Sequence, residues 1–157
     1  MDTYFCAFSE KAARLAVGGT LMGIDKIMSG DWSNGFAVVR PPGHHSGAKN
    51  TLNGFCILNG VAIAAKYLQK KYDVKKVAIL DWDVHRGDGT HHIFETDPSV
   101  LFISVHRYDH GTFYPAGDEG DYPNCGKKDG EGSKLNIPLN HYDKKYIKYK
   151  CQAPGDN

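Results

Sequence analysis

The segment AILDWDVHRGDGTHH, residues 78–92, places three carboxylates and a histidine directly after an apolar run. Such carboxylates repel one another unless something positive lies between them. Asp83 and His85 are two residues apart, and side chains at that spacing in an extended segment point to the same side. An oxygen and an imidazole nitrogen suit a zinc-like cation, although a catalytic zinc usually has three protein ligands and an open position. The pair therefore predicts two ligands of a metal site that needs a third.

Two adjacent histidines lie in the segment RPPGHHSG, residues 40–47, on a loop that two prolines stiffen. Neighbouring side chains rarely aim at one point, so His44 and His45 would be a poor pair of metal ligands. They are better suited to act as general base and general acid beside a metal ion, each imidazole oriented by a carboxylate on its far nitrogen. Asp81 and Asp88 are available for that orientation.

The elements that must position these side chains alternate between helices and strands. The helical spacing of apolar residues predicts one helix over 9–30, with Ser9 as N-cap and Gly30 as stop, and a second within 54–73. Short β-branched or apolar runs predict strands in GFAVVR, KKVAILDWD and PSVLFISVHRYD, and a further strand in KLNIPLN. The Gly, Asp and Lys-rich stretch 118–133 is expected to be an exposed loop. This is the pattern of an α/β domain.

The polar clusters all follow predicted strands. They are RPPGHHSG, DWDVHRGDG and SVHRYDHG. In a parallel sheet the carboxyl ends of the strands share one edge, where ligands bind, so we expect these clusters to meet. The continuous apolar character of KKVAILDWD and PSVLFISVHRYD further predicts strands buried on both faces of the sheet.

Composition limits the classes of function. The 157 residues suit one domain, and 19 basic against 18 acidic residues leave no overall field that would hold the chain on nucleic acid or an anionic membrane. The N-terminal segment lacks the pattern of a secretory signal, and no stretch has the length of a spanning helix. The chain is therefore expected to be intracellular and not secreted, with free thiols at its four scattered cysteines.

The motifs RPPGHH, GFCILNGVAIAAKYLQ, DWDVHRGDGT and DPSVLFISVHRYDHGTFYPAG closely resemble the zinc-dependent histone deacetylases, class II in particular. The resemblance covers residues 2–140, and the tail 141–157 diverges. It implies a three-layer α-β-α domain with a mainly parallel sheet, the arginase-like deacetylase fold. The family's third zinc ligand and its oxyanion-stabilising residue belong to later segments. We therefore expect residues 1–157 to be a truncated catalytic domain with an uncovered sheet face.

The resemblance also implies roles for individual residues. Asp83 and His85 match the family's zinc ligands, and His44 and His45 match its tandem histidines, with Asp81 behind the first and Asp88 behind the second. The remaining residues match the family's potassium and substrate sites: Asp81, Asp83, His85 and Ser104 for an inner monovalent cation, backbone oxygens around Phe94, Asp97 and Val100 for an outer one, and Phe55, Tyr114 and the adjoining Gly54 for a narrow acyl-lysine tunnel. Two positions depart from the family's usual pattern, with Arg86 in place of a second histidine and Asp88 where class II members often have an amide.

The implied activity is zinc-dependent hydrolysis of N-acetyl-lysine, with acetylated histone tails or other acetyl-lysine proteins as substrates. Co-repressor proteins are expected partners, in chromatin regulation and transcription repression, in the nucleus, the cytoplasm or both. Two alternatives stay open: an inactive deacetylase-like binding or regulatory module, and an acetylpolyamine amidohydrolase. If the short chain binds zinc by itself, His92, Asp109 or a second copy of the chain would supply the third ligand.

Overall fold

The computed structural model describes residues 4–47 and 53–140. The elements in chain order are α1 (Ser9–Met28), α2 (Gly60–Tyr72), β1 (Val77–Asp81), α3 (Asp88–Phe94), β2 (Val100–Arg107) and β3 (Lys134–Leu139). Short 3-10 turns lie at Asp109–Gly111, Asp118–Gly120 and Lys128–Gly130. The predicted α/β class is confirmed, whereas the divergent tail 141–157 lies outside the described residues.

The three strands form one parallel sheet in the order β1-β2-β3. Asp81, at the end of β1, lies opposite Ser104 of β2, and Phe102 lies opposite Lys134 of β3. All three carboxyl ends therefore lie at the same edge of the sheet, which is where ligands bind in folds of this kind.

One face of the sheet forms the core. Ile79, Val100 and Phe102 pack against Ala62 and Ala65 of α2 and Phe94 of α3. The prediction that both faces would be buried is wrong for the described residues, because burial alternates along β2 and the other face exposes apolar side chains. The most exposed of them are Leu80, Leu101, Leu135, Ile137 and Leu139. The described residues thus supply the sheet and one helical side, with the other face uncovered as the resemblance implied.

The predicted strand at 35–40 is also wrong. This segment is irregular, with Phe36 93% and Val38 88% exposed. A β-branched run becomes a strand only when its backbone finds a ladder partner, and these residues pair with no strand in the described part of the chain. Two details also differ at α1: Phe8 takes the N-cap position instead of Ser9, and the helix ends before Ser29.

Helices α1 and α2 are joined by one carboxylate. Asp25 of α1 accepts hydrogen bonds from the hydroxyls of Tyr67 and Tyr72 and pairs with the Lys71 ammonium at 2.9 Å. Hydrogen bonds from Lys71 and the two tyrosines lower the pKa of Asp25 to about 2. No helix in the described ranges has the length and apolar character needed to span a membrane.

Candidate functional site

The turn after β1 is shaped by two aspartates. Asp81 Oδ1 accepts the backbone N–H of Asp83 at 3.1 Å, and Asp83 Oδ1 accepts the backbone N–H of His85 at 2.8 Å. Aspartate favours such local bonds to backbone N–H groups two residues on. Arg107 N donates to Val84 O at 2.9 Å, which fixes the turn to the end of β2. The turn places the acids and His85 at the carboxyl edge of the sheet.

His44 and Asp81 form the first histidine–carboxylate pair. His44 Nδ1 donates to Asp81 Oδ2 at 2.8 Å, and both side chains are mostly buried. The far nitrogen of His44, Nε2, lies 3.9 Å from Asp83 Oδ1. Burial disfavours the charged imidazole, but the hydrogen bond to Asp81 and the surrounding carboxylate charges outweigh it and raise the pKa of His44. His44 is therefore a stronger base than an ordinary imidazole.

His45 and Asp88 form the second pair. His45 Nδ1 donates to Asp88 Oδ1 at 2.6 Å, and the histidine side chain is only 3% exposed. The backbone N–H of His45 donates to the Cys56 thiol at 3.4 Å. Burial raises the pKa of that thiol to about 11, so Cys56 is a neutral packing group beside the pair. The two histidine rings lie 4.1 Å apart between centroids, so both Nδ1 atoms are held by carboxylates at one site.

Three glycines allow this close approach, and two of them, Gly87 and Gly89, are not among the site residues that the sequence predicts. A Cβ on Gly87 would lie 2.3 Å from Asp81 Oδ2, and one on Gly89 would lie 2.5 Å from Ser46 O. A Cβ on Gly54 would lie 2.3 Å from the His45 ring. Gly54 was expected near the substrate, and the structure places it directly behind His45. The GDG sequence at 87–89 was the available signal for the other two.

Asp83 and His85 bring two metal-ligand atoms together. His85 Nδ1 lies 3.1 Å from Asp83 Oδ1, and both side chains are partly exposed. Burial opposes ionisation of Asp83, but the His85 backbone N–H and the charge of His44 hold its pKa below the ordinary value. An ionised carboxylate beside an imidazole nitrogen fits two positions of a zinc site.

The described residues do not complete a three-ligand site. They contain no group of three or more histidine, cysteine or acidic side chains arranged to hold a metal ion. The two alternative third ligands within the chain are engaged elsewhere: His92 Nε2 contacts Glu119 at 2.8 Å, and Asp109 pairs with Arg107 at 2.5 Å. The donor set therefore fits a zinc ion only in part.

Aromatic rings surround these donors. Phe113 stacks on His85 with centroids 5.2 Å apart and planes within 9°. Tyr114 directs its ring at right angles to His45 and His85, at 5.0 and 5.6 Å. Phe55 is 56% exposed in the loop that carries Gly54. Phe113 follows His85 by 28 residues, and no local spacing rule predicts that the two rings stack.

The residues expected at the inner monovalent cation site are adjacent. His106 Nε2 donates to Gly120 O, so the neutral ring accepts the Ser104 hydroxyl at Nδ1, at 3.0 Å. The Ser104 oxygen therefore keeps lone pairs, and it lies on the strand residue that pairs with Asp81. The inner monovalent cation site stays a prediction. The carbonyls expected at the outer site, those of Phe94, Asp97 and Val100, all accept hydrogen bonds within the protein.

Arg86 is buried and paired. Its guanidinium donates to Glu119 at the backbone oxygen and at Oε2, at 3.3 and 3.1 Å, and only 4% of the residue is exposed. Burial acts to raise the pKa of Glu119, but hydrogen bonds from His92 and Arg86 lower it below the ordinary value. Burial and the charge of Arg86 lower the pKa of His91 to about 4. The Arg86 charge is thus matched by an ionised carboxylate.

Comparison with known proteins identifies clear relatives. A family model described as Histone deacetylase domain matches residues 1–150. The chain is 48% identical over 139 residues to Polyamine deacetylase HDAC10 of Danio rerio and 49% identical over 138 residues to Histone deacetylase 5 of Arabidopsis thaliana. These alignments cover 88% and 86% of this chain but only 20% and 21% of the relatives.

A solved structure shares the fold. The crystal structure of the HDA15 HD domain superposes with a TM-score of 0.84 and 46% identity, covering 89% of this chain and 38% of that one. The expected deacetylase fold is therefore confirmed. The chain spans about a fifth of the length of the curated relatives named above.

Proposed function

This chain belongs to the histone deacetylase family, as the N-terminal part of its catalytic domain, and from that premise we propose that it carries the proton-transfer groups of an amide-hydrolysing deacetylase. One observation carries the proposal: two histidine–carboxylate pairs lie side by side at the edge where Asp83 and His85 converge. A histidine held at Nδ1 by a carboxylate presents its other nitrogen for proton transfer.

The two histidines divide the proton transfers. We assign proton acceptance from the attacking water to His44, because its pKa is raised and its Nε2 faces Asp83. His45, in its protonated form with Nδ1–H held by Asp88, donates its Nε2 proton to the departing amine and is left neutral. Asp81 and Asp88 orient the rings and stabilise the charge that develops on each imidazole.

Asp83 and His85 would hold two coordination positions of a zinc ion, and the third ligand is expected from a segment outside the described residues. A bound zinc would polarise the acetyl carbonyl and the attacking water. Phe113, stacked on His85, fixes the plane of that ring and excludes water from one side of it. The inner monovalent cation, if potassium binds there, would use Ser104 and Asp81 as its neighbouring oxygen donors.

The substrate we propose is an N-acetyl-lysine side chain of a histone or another protein. Phe55 and Tyr114 offer flat apolar surfaces for the methylene stem, and Gly54 brings the loop that carries Phe55 against His45, whose ring also contacts Tyr114. This assignment extends to chromatin regulation, with co-repressor proteins as partners in the nucleus or cytoplasm. Similarity to a polyamine deacetylase at 48% identity supports a second candidate, an acetylpolyamine, whose aliphatic chain would meet the same aromatic surfaces.

The test measures bound zinc and catalytic turnover on the same protein samples. Zinc per chain and hydrolysis of an acetyl-lysine peptide and of an acetylpolyamine are measured on this chain and on a form extended to the length of the family's catalytic domain. We expect zinc and turnover in the extended form, and loss of both in its His85→Ala variant. His92→Ala is the matched control, because that histidine pairs with Glu119 and lies outside the proposed site.

Each outcome has a clear meaning. Absence of turnover in the zinc-loaded extended form would refute the catalytic proposal and favour the inactive binding module. Turnover and zinc in the short chain would show that it completes the site by itself. Faster hydrolysis of the acetylpolyamine than of the peptide would favour the second substrate.

A further inference from the structure

A lysine ammonium lies where the outer monovalent cation was expected. Lys134, the first residue of β3, is 1% exposed, and its Nζ donates to Asp97 O at 3.1 Å and to Val100 O at 2.9 Å. It also donates to Ser133 O at 3.2 Å and to the Ser133 hydroxyl at 2.5 Å. The carbonyl of Phe94 accepts the backbone N–H of Asp97 at 2.9 Å. We propose that the Lys134 ammonium replaces the outer cation, so that this chain fills that site with its own side chain.

The hydrogen-bond pattern requires the charged form of the lysine. A carbonyl oxygen only accepts, and an ammonium has three N–H donors whereas a neutral amine has two. Four oxygens surround Nζ, the three carbonyls and the Ser133 hydroxyl, so each of the three donors of the ammonium has an acceptor. Burial lowers the pKa of Lys134, and the charge of Asp97 opposes that effect. The carbonyl oxygens replace the hydrogen bonds to water that the ammonium loses on burial. They would replace the hydration of a bound monovalent cation in the same way.

The surrounding backbone holds the carbonyls in place. Ser133 O also accepts the Phe102 N–H at 3.0 Å, which ties it to β2. Asp97 Oδ1 accepts the backbone N–H of Ser99 at 2.9 Å, which shapes the turn between α3 and β2. A Cβ on Gly130 would lie 2.5 Å from Glu95 O, so the loop before β3 packs directly on this turn. The stretch 118–133, expected to be an exposed loop, is thus buried at Gly130.

The surrounding backbone therefore holds the carbonyl oxygens in position, and the Lys134 ammonium lies among them. A second cation placed among the same carbonyls would repel the ammonium at close range, and the burial of Lys134 leaves that repulsion weakly screened. Two consequences follow: this chain binds no monovalent cation at the outer position, and removal of the lysine creates such a site. Neither consequence depends on the proposed catalysis.

The test compares the chain with its Lys134→Met variant, which keeps an unbranched apolar stem and removes the ammonium. Bound Rb⁺, used as a potassium probe, is counted by equilibrium dialysis and elemental analysis at constant ionic strength. We expect the variant to bind one more ion per chain than the parent. We also expect KCl, compared with tetramethylammonium chloride, to raise the thermal midpoint of the variant more than that of the parent. Any ion bound at the inner site raises the midpoints of both proteins, so subtracting one rise from the other removes its contribution.

Lys66→Met is the matched control. Lys66 pairs with the Asp97 carboxylate at 2.5 Å, and its side chain is half exposed. The substitution therefore removes an ammonium that contacts Asp97 but leaves the Lys134 ammonium on the backbone carbonyls. Its ion count should equal that of the parent. Equal counts in Lys134→Met and the parent would overturn the proposal.

A measurement on the parent keeps the proposal testable if the variant does not fold. A buried ammonium held by three carbonyls exchanges its protons slowly, so its ¹⁵N–¹H₃ signal should be visible in the NMR spectrum of the ¹⁵N-lysine-labelled chain. It should disappear in Lys134→Gln and persist in Lys66→Met. Absence of a slowly exchanging ammonium in the folded parent would also overturn the proposal.

Discussion

Gly87→Ala should disrupt the His44–Asp81 pair although neither residue of the pair is itself substituted. Gly87 has φ of −75°, which alanine adopts without strain, so the effect comes from contact alone. The new Cβ would lie 2.3 Å from Asp81 Oδ2 and 3.2 Å from both His44 Nδ1 and Phe102 Cζ. The carboxylate must therefore move by about 1 Å to reach van der Waals distance.

A movement of that size removes the hydrogen bond. The pair is 2.8 Å long, and a separation beyond about 3.5 Å is no longer a hydrogen bond. Hydrogen bonds to charged groups contribute about 1.5–3 kcal/mol, and this pair is mostly buried, so solvent screening reduces that value little. We expect Gly87→Ala to lower the free energy of unfolding by about 2 kcal/mol.

Urea unfolding followed by circular dichroism measures this change. Gly18→Ala is the control, because Gly18 lies inside α1 with no atom near its Cβ position, and it should stabilise the chain by up to about 1 kcal/mol. Adding Gly87→Ala to Asp81→Asn should cost less than the sum of the two single changes. If Gly87→Ala matched the parent in stability, or its effect simply added to that of Asp81→Asn, the proposed route through the carboxylate would be wrong.

Three further predictions concern other parts of the chain. Gly54→Ala should displace the His45 ring, seen as shifted ring signals in NMR, because its Cβ would lie 2.3 Å from that ring; an unchanged ring position would contradict the packing. Asp25→Asn should lower the thermal midpoint at pH 7. The lowered pKa of Asp25 means that its stabilisation is present above about pH 4 and is lost as pH falls towards 2, so the two proteins should converge there in a pH series of melting curves. Phe102→Ala should cost about 3–5 kcal/mol in denaturant titrations, since the ring is fully buried, whereas the 93% exposed Phe36→Ala should stay within about 0.5 kcal/mol; similar costs would refute the assigned core.

Local patterns in the sequence determined most of the elements. The spacing of apolar residues predicts α1 and α2, and the apolar runs predict β1, β2 and β3, because each element has its own period and needs only neighbouring residues to express it. The same patterns place the histidine and acid clusters at strand ends, which a parallel sheet brings to one edge. Asp83 and His85 could be paired from their spacing alone.

Tertiary structure decided what depends on residues distant in the chain. The run at 35–40 has β propensity but no ladder partner in the described ranges, and the strands bury only the face that α2 and α3 cover. The contact of Gly87 with Asp81, the stacking of Phe113 on His85 and the position of Lys134 among backbone carbonyls also escape local rules. In each case the sequence specifies the groups, but only packing specifies which groups meet, because a close contact depends on where two separate segments come to lie.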